Sequence, residues 1–275
     1  LRQGKTAFHY AKDTALGYIA GLDFKVNGAT VKVETDANNP DICKLILNEP
    51  LASGATATIT TPFVVKIPNS FSRLGHLGQA YQLTQWYPKP AVYDKKGWHA
   101  IPYLDQGEFY SEYGSFDVKI TLPENYVVGA TGDLQNESEL AWLTAKSDSD
   151  AKVEDFGKSM DFPASSKKEK TLHYTQKNVH DFAWFADKRF HVLKSEVALP
   201  HSKRKVTTWA MFTNAYAKYW KNGSTYINDA TYYYSLWNGD YLYNQVTAVD
   251  GALSAGGGME YPNVTVIGPV SSDLG

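Results

Sequence analysis

The chain has 275 residues, a net charge of −2, 43% hydrophobic residues and 20% charged ones. A chain of that length buries most of its apolar surface without cross-links, and the composition excludes a disordered, collagen-like or disulfide-scaffold protein. Without an excess of positive charge it lacks the field that holds a phosphate backbone, which argues against nucleic acid as a partner. The aromatic share is high, with 19 Tyr and 7 Trp, and large rings suit the half-buried faces of sheets.

In chain order, the opening Leu1-Arg2-Gln3-Gly4-Lys5 has neither Met nor an apolar signal region, and both ends read as cut from a longer chain. Residues 1 to about 200 predict strands. Val31 to Glu34, Ala55 to Thr60, Phe63 to Ile67 and Phe116 to Leu122 alternate apolar and polar residues, the period that puts one face inward and the other in water. Val26-Asn27-Gly28, Asn38-Asn39-Pro40, Pro123 to Asn125 and Gly132-Asp133 supply turns between them. Cys43 is the only cysteine, so no intrachain disulfide forms and pairing leaves the compartment open, whether exported or cytoplasmic. Its alternating surroundings predict a buried structural thiol on a strand. Gln82 to Pro90 breaks the alternation; with prolines at 88 and 90 it cannot sit in a central strand and reads as an edge or corner covered by aromatics. The polar, mixed-charge stretch 144–170 reads as an exposed loop or hairpin tip.

The character changes after about residue 205. Val206 to Phe212 is one more strand. Between Asn214 and Trp237, Tyr226, Ala230, Tyr233 and Trp237 share one face of a predicted helix, with Ser224 as N-cap and Asn238-Gly239 as its stop. Gln245 to Val249 and Asn263 to Ile267 are the last strands. The fold class expected is therefore mainly β: an antiparallel β-sandwich or saddle over 1–203, then the incomplete start of an α/β unit over 204–275. No apolar run approaches the roughly 20 residues of a transmembrane segment. Asn263 opens an Asn-x-Thr sequence, but within a core-proximal strand this reads as a chance glycosylation match.

The seven His (9, 76, 99, 173, 180, 191 and 201) form no His-x-x-x-His pair and none stands at metal-ligand spacing beside Cys or a carboxylate. No nucleophile elbow, P-loop or dinucleotide fingerprint occurs. The residues predict no catalytic group, no metal site and no cofactor within this chain. The most informative stretch is Ala255-Gly256-Gly257-Gly258-Met259-Glu260-Tyr261-Pro262. Three glycines permit unusual dihedrals or close backbone approach. The apolar, acidic and aromatic residues that follow place Glu260 at the mouth of a strand rather than on a loose tip.

Gly257-Gly258-Met259-Glu260-Tyr261 resembles the Gly-x-Met-Glu-Asn motif of aminopeptidase N-type (gluzincin) zinc metallopeptidases, with Tyr261 in place of Asn. Gln79-Ala80 ahead of Pro88, the stretch Glu108 to Gly132, and Asp181 to Ala186 resemble, in the same order, segments of that family's N-terminal domain. Gln85 to Lys89 and Gly97-Trp98-His99 resemble a bacterial branch. The resemblance spans roughly residues 20–275. It implies that 204–275 begins a thermolysin-like catalytic domain, cut before the His-Glu-x-x-His helix that holds zinc in the family. It further implies a parent enzyme that takes N-terminal residues from peptide substrates, while this piece is inactive alone. Glu260 would bind the substrate's α-ammonium beside Met259, and Gly257 and Gly258 would let the substrate backbone lie along the loop. Gln79 is the second candidate for the amine, with Gln82 its rival if the register shifts by three; as a plain surface residue Gln79 needs no role. The cut face would allow self-association. A different class of reading is a noncatalytic β-sandwich module that binds carbohydrate or protein through Trp86, Trp98, Trp142 and Trp184, although large aromatics more often fill cores.

Overall fold

Strand is the commonest regular structure among the described residues, at 38% against 16% helix. The structure, a computed structural model, describes residues 9–70, 72–102, 110–251 and 257–268; Ala255 and Gly256 of the glycine run and both chain ends lie outside the described residues. Contacts divide the chain into a smaller unit, Ala11–Pro68 with Tyr87–Glu112, and a larger one, Leu1–Tyr10 with Asn69–Trp86 and Tyr113–Gly275. No helix among the described residues is long and apolar enough to cross a membrane.

The smaller unit is built from short antiparallel pairs. β1 (Tyr18–Ala20) pairs β7 (Val64–Lys66). β2 (Lys25–Val26) lies between β3 (Ala29–Thr30) and β6 (Ile59–Thr60). β4 (Lys32–Thr35) pairs β5 (Cys43–Ile46), and β10 (Val92–Asp94) pairs β11 (Gly97–His99). Asn27 and Gly28 turn β2 into β3 with φ of 51° and 83°, the left-handed geometry that Asn-Gly accepts in a tight hairpin. Between β4 and β5 the Asp36 carboxylate accepts the Asn38 and Asn39 N–H groups at 2.8 and 3.1 Å. These bonds hold the Asp36 carboxyl below its ordinary pKa. Cys43 lies on a strand as expected, but its thiol is exposed, not buried. All of β4 is exposed as well; two short paired strands offer no second layer to cover an alternating face.

Among the described residues the larger unit holds three sheets and two helices of more than one turn. Its elements are β8 (Gly75–Leu77), β9 (Ala80–Leu83), β12 (Gly114–Pro123), β13 (Val127–Ala130), β14 (Asp133–Leu134), α1 (Glu137–Asp150), β15 (Glu169–Val179), β16 (Trp184–Asp187), β17 (His191–Ala198), β18 (Lys205–Phe212), α2 (Ala217–Trp220), α3 (Gly223–Asn238), β19 (Gln245–Asp250), β20 (Gly258–Tyr261) and β21 (Val264–Ile267). Among the described residues the strand orders are β12-β15-β14, β13-β16-β9-β8 and β17-β18-β19-β21-β20. The first two sheets are antiparallel. In the third, β18, β19 and β21 run parallel, because α3 carries the chain from β18 to β19. The protein is thus mainly β, and α/β character enters only with this sheet. The expected boundary at 203/204 falls in the turn of the β17–β18 hairpin, whose register runs from His191↔Phe212 to Ala198↔Lys205.

The core lies between the β13-β16-β9-β8 sheet and one face of the five-stranded sheet. Val127, Phe185, Val192, Trp209, Met211, Val249, Val264 and Val266 meet there. A Cβ on Gly129 would come within 3.0 Å of both Met211 Sδ and Val249 Cγ2, so glycine sets how closely the two layers approach. On the opposite face Leu193, Ala210, Phe212, Trp220 and Ala248 form a second cluster with Ile227 of α3.

Both helices depart from the sequence expectation. The stretch read as a loop from residue 144 begins inside α1, because three of the four buried residues of α1 are polar, Leu143 being the exception. Glu139 pairs with Lys170, the Ser147 hydroxyl accepts the Lys194 N–H at 2.7 Å, and the Asp150 carboxylate accepts the Val192 N–H at 2.7 Å. α3 ends as expected at Gly239, with φ of 95°, but its N-cap is Asn222 rather than Ser224. It also presents the opposite face. Tyr226, Tyr233 and Trp237 point outward, with Trp237 at 70% exposure, while Gly223, Thr231 and Ser235 are buried. A Cβ on Gly223 would sit 3.1 Å from Ala210 Cβ. Small residues therefore let the helix approach β18, and Asn228 bonds it to Thr208 and Ser195 at 2.7 and 2.9 Å.

Candidate functional site

Strand β20 carries the candidate residues and forms an edge of the five-stranded sheet. It pairs with β21 in the register Gly258↔Ile267, Met259↔Val266, Glu260↔Thr265 and Tyr261↔Val264. Its outer edge pairs with no strand among the described residues. The turn into β21 is fixed by Asn263, which adopts φ of 48° and is 4% exposed. Its Oδ1 accepts from the Gly132 N–H at 2.7 Å and from Gln245 Nε2 at 3.1 Å, and its Nδ2 donates to Gln176 Oε1 at 2.7 Å. A sequence-level glycosylation match at this buried amide is chance.

Alternation sorts the four residues of β20 by face. Met259 and Tyr261 turn inward against the core, and burial pushes the Tyr261 hydroxyl above its ordinary pKa. Gly258 and Glu260 lie on the exposed face. The Glu260 carboxylate leans back along the strand: a Cβ on Gly258 would lie 3.8 Å from Glu260 Oε1. Among the described residues this carboxylate makes no hydrogen bond or ion pair. Gly257 meets nothing within 4 Å at its missing side chain, and its carbonyl accepts the Gly268 N–H at 2.9 Å. Gly257 is thus anchored through its carbonyl and has open space where a side chain would stand.

The two glutamines part ways. Gln79 stands in the β8–β9 turn, where its amide oxygen accepts from the buried Lys188 ammonium, which also donates to the Pro163 carbonyl and to Ser165 Oγ. Gln79 and Glu260 are not brought together. Gln82, three residues on, is buried on β9 and donates to Ser70 Oγ at 3.3 Å. Its Oε1 lies beside Gly251, where a Cβ would be 2.5 Å from that oxygen and 2.3 Å from Val266 Cγ2. Gln82 therefore lies at the C-terminal end of β19, from which the chain leads toward Gly257. Gln82 and Leu83 opened the segment read as an edge or corner, but β9 lies between β16 and β8 as an inner strand, because both prolines come after it. The signal for Gly251 was a glycine directly after an apolar strand.

Asp250, just before Gly251, is buried and accepts the Thr213 N–H at 3.1 Å and the Thr213 hydroxyl at 2.8 Å. Burial raises its carboxyl above the ordinary value despite these bonds. Two charges that act on Asp250 are paired with each other, since Arg189 grips both oxygens of Asp187. No group of three His, Cys, Asp or Glu that could hold a metal ion occurs among the described residues. Three of the histidines are engaged elsewhere: His173 with Asp117, His99 with Asp94, and His191 with both Asp150 and Asn214. The donor set of the described residues does not fit a zinc ion.

No protein-family model matches the chain, and no curated protein matches it. Solved structures do match in fold. An M1 zinc metallopeptidase from Deinococcus radiodurans superimposes with a TM-score of 0.56 at 14% identity, covering 92% of this chain and 50% of that one. A two-domain M1 zinc metallopeptidase variant with L-arginine bound gives 0.56 at 13% identity over the same shares. Legionella pneumophila aminopeptidase A in complex with aspartic acid gives 0.54 at 11% identity, covering 94% of this chain and 27% of that one. The match in fold thus extends along nearly the whole chain. This protein has the fold of the N-terminal region of M1 zinc metallopeptidases, and it spans about half the length of the first structures it matches.

Proposed function

We propose that this chain is part of a zinc metallo-aminopeptidase that removes N-terminal residues from peptides, and that its contribution is the strand that receives the substrate. The observation that carries the reading is Glu260: a carboxylate without a partner among the described residues, on the solvent face of an unpaired edge strand that follows glycines. An extended peptide can add to such an edge through main-chain hydrogen bonds. A carboxylate beside it would hold the free α-ammonium by charge-assisted bonds, the stronger class of hydrogen bond. The carboxamide of Gln79, whose oxygen also accepts from Lys188, or that of Gln82 in the shifted register, would give that ammonium a second acceptor. Met259, packed inward, would keep the strand in register while Gly257 and Gly258 leave room for the substrate backbone. Zinc would belong to residues other than those described, and none of these steps passes through it.

The noncatalytic module is the weaker reading. Trp98 is exposed and pairs with Tyr93 at 4.9 Å between ring centroids, but Trp86 and Trp184 pack on each other at 6.5 Å, and Trp86 is held by the Phe182 carbonyl at 3.1 Å. The test is zinc analysis and peptide hydrolysis on the chain alone and on a longer parent that contains it. The expected result is stoichiometric zinc and release of N-terminal residues by the parent, with neither from the chain alone. A parent without zinc or turnover refutes the reading.

A further inference from the structure

An open cavity of about 290 Å³ lies in the larger unit, away from β20, between the β13–β14 segment, α1 and the exposed start of the five-stranded sheet. It is near the lower end of small-molecule pockets, which combine an apolar lining with a few placed polar groups. Its floor is apolar: Leu143, Trp209 and Met211 line it, all nearly fully buried.

The polar groups around it are largely committed to one another. Gln245 Nε2 donates to the Gly132 carbonyl and Asn263, and its Oε1 accepts from Thr247. The Tyr174 hydroxyl donates to the Val128 carbonyl at 3.2 Å. Asn244 Nδ2 donates to Asp133 Oδ2 at 2.7 Å. Lys194 differs. Its ammonium stands at the mouth, 5.3 Å from the centroid of the Trp209 ring, and donates to Thr144 Oγ1 at 3.2 Å. That is its one hydrogen-bond partner among the described residues, and an ammonium carries three N–H donors.

An apolar floor, a cation with donors to spare and one acidic neighbour define a ligand. We propose that this pocket binds a small aromatic or branched-chain monocarboxylate, its hydrocarbon part against Trp209 and Met211 and its carboxylate on Lys194. Asp133 on the rim disfavours a second negative charge, so dicarboxylates are excluded. The proposal does not rest on the peptidase reading.

Calorimetric titration of the intact chain with 3-phenylpropionate tests it, with 3-phenylpropylamine and 3-phenylpropanamide as controls. Saturable one-to-one binding is expected for the carboxylate. Loss of one charge-assisted hydrogen bond weakens an interaction roughly ten- to hundredfold, and that loss is expected both for the neutral amide and for Lys194→Gln. Lys194 is exposed, so this substitution leaves the fold and its melting point in place. Leu140→Trp, from the α1 side of the lining, should block binding by filling the space. No binding by the unaltered chain up to about 10 mM, equal affinity for the amine, or full affinity in Lys194→Gln would each overturn the proposal.

Discussion

Gly251→Ala perturbs the junction between the sheet and the candidate site with one added methyl group. That methyl would lie 2.3 Å from Val266 Cγ2 and 2.5 Å from Gln82 Oε1, far inside van der Waals contact. Neither neighbour yields easily: Val266 is 1% exposed within the core and Gln82 6%. Forcing such a group into a filled interior costs about 1–3 kcal/mol. At about 2–4 °C per kcal/mol for a domain of this size, thermal unfolding should shift down by about 2–12 °C. The contact is specific, so the penalty should be coupled to Val266. Val266→Ala on its own opens a cavity and destabilises. In the Gly251→Ala background it removes the clash, and the double variant should be more stable than the sum of the two by about 0.5–2 kcal/mol. Calorimetry of the four proteins of this cycle measures the coupling. A Gly251→Ala protein that melts like the original, or strictly additive effects, would show that the Gln82–Gly251–Val266 packing is not as described.

Other consequences are equally direct. In a zinc-bearing parent, Glu260→Gln should lower kcat/KM for free-amine peptides by roughly ten- to hundredfold, the value of a lost charge-assisted bond, with zinc content unchanged; intact turnover or lost zinc defeats the assignment. Asp250 has a folded-state pKa above its ordinary value, so from the ordinary carboxyl range upward the native state binds more protons than the unfolded one. Stability attributable to this group therefore falls as pH rises through that window; Asp250→Asn should flatten the slope, and an unchanged pH profile in denaturant unfolding would contradict it. The exposed Cys43 should react with an aromatic disulfide reagent in the native state, and protection until unfolding would place it in the core.

The sequence spoke clearly where burial follows hydrophobicity and misled where it does not. Phe116 to Leu122 and Val206 to Phe212 alternate or run apolar, and both are strands. α1 was invisible because Glu139, Ser147 and Asp150 bury polar groups against specific partners, information that hydropathy does not carry. In α3 the stop signal Asn238-Gly239 was legible, yet the aromatic stripe pointed to the wrong face because close approach at Gly223 outweighed ring burial. At the candidate site, Glu260 was legible from its motif. The contrast between Gln79 and Gln82 required knowing that Lys188, 109 residues away from Gln79 in sequence, occupies one of them.

The β17–β18 hairpin bears on how the protein can be dissected. A truncation after residue 203, where the sequence changes character, would strip β17 of its eight paired positions and lay bare the flanks of Val192 and Leu193, now buried. An unpaired, partly apolar edge of that length recruits other chains, so such a fragment would precipitate or oligomerise during expression. The larger unit is threaded discontinuously, with its pieces rejoined after Pro68 and again after Glu112. A version limited to the larger unit therefore requires excising both Ala11–Pro68 and Tyr87–Glu112, which no single cut achieves.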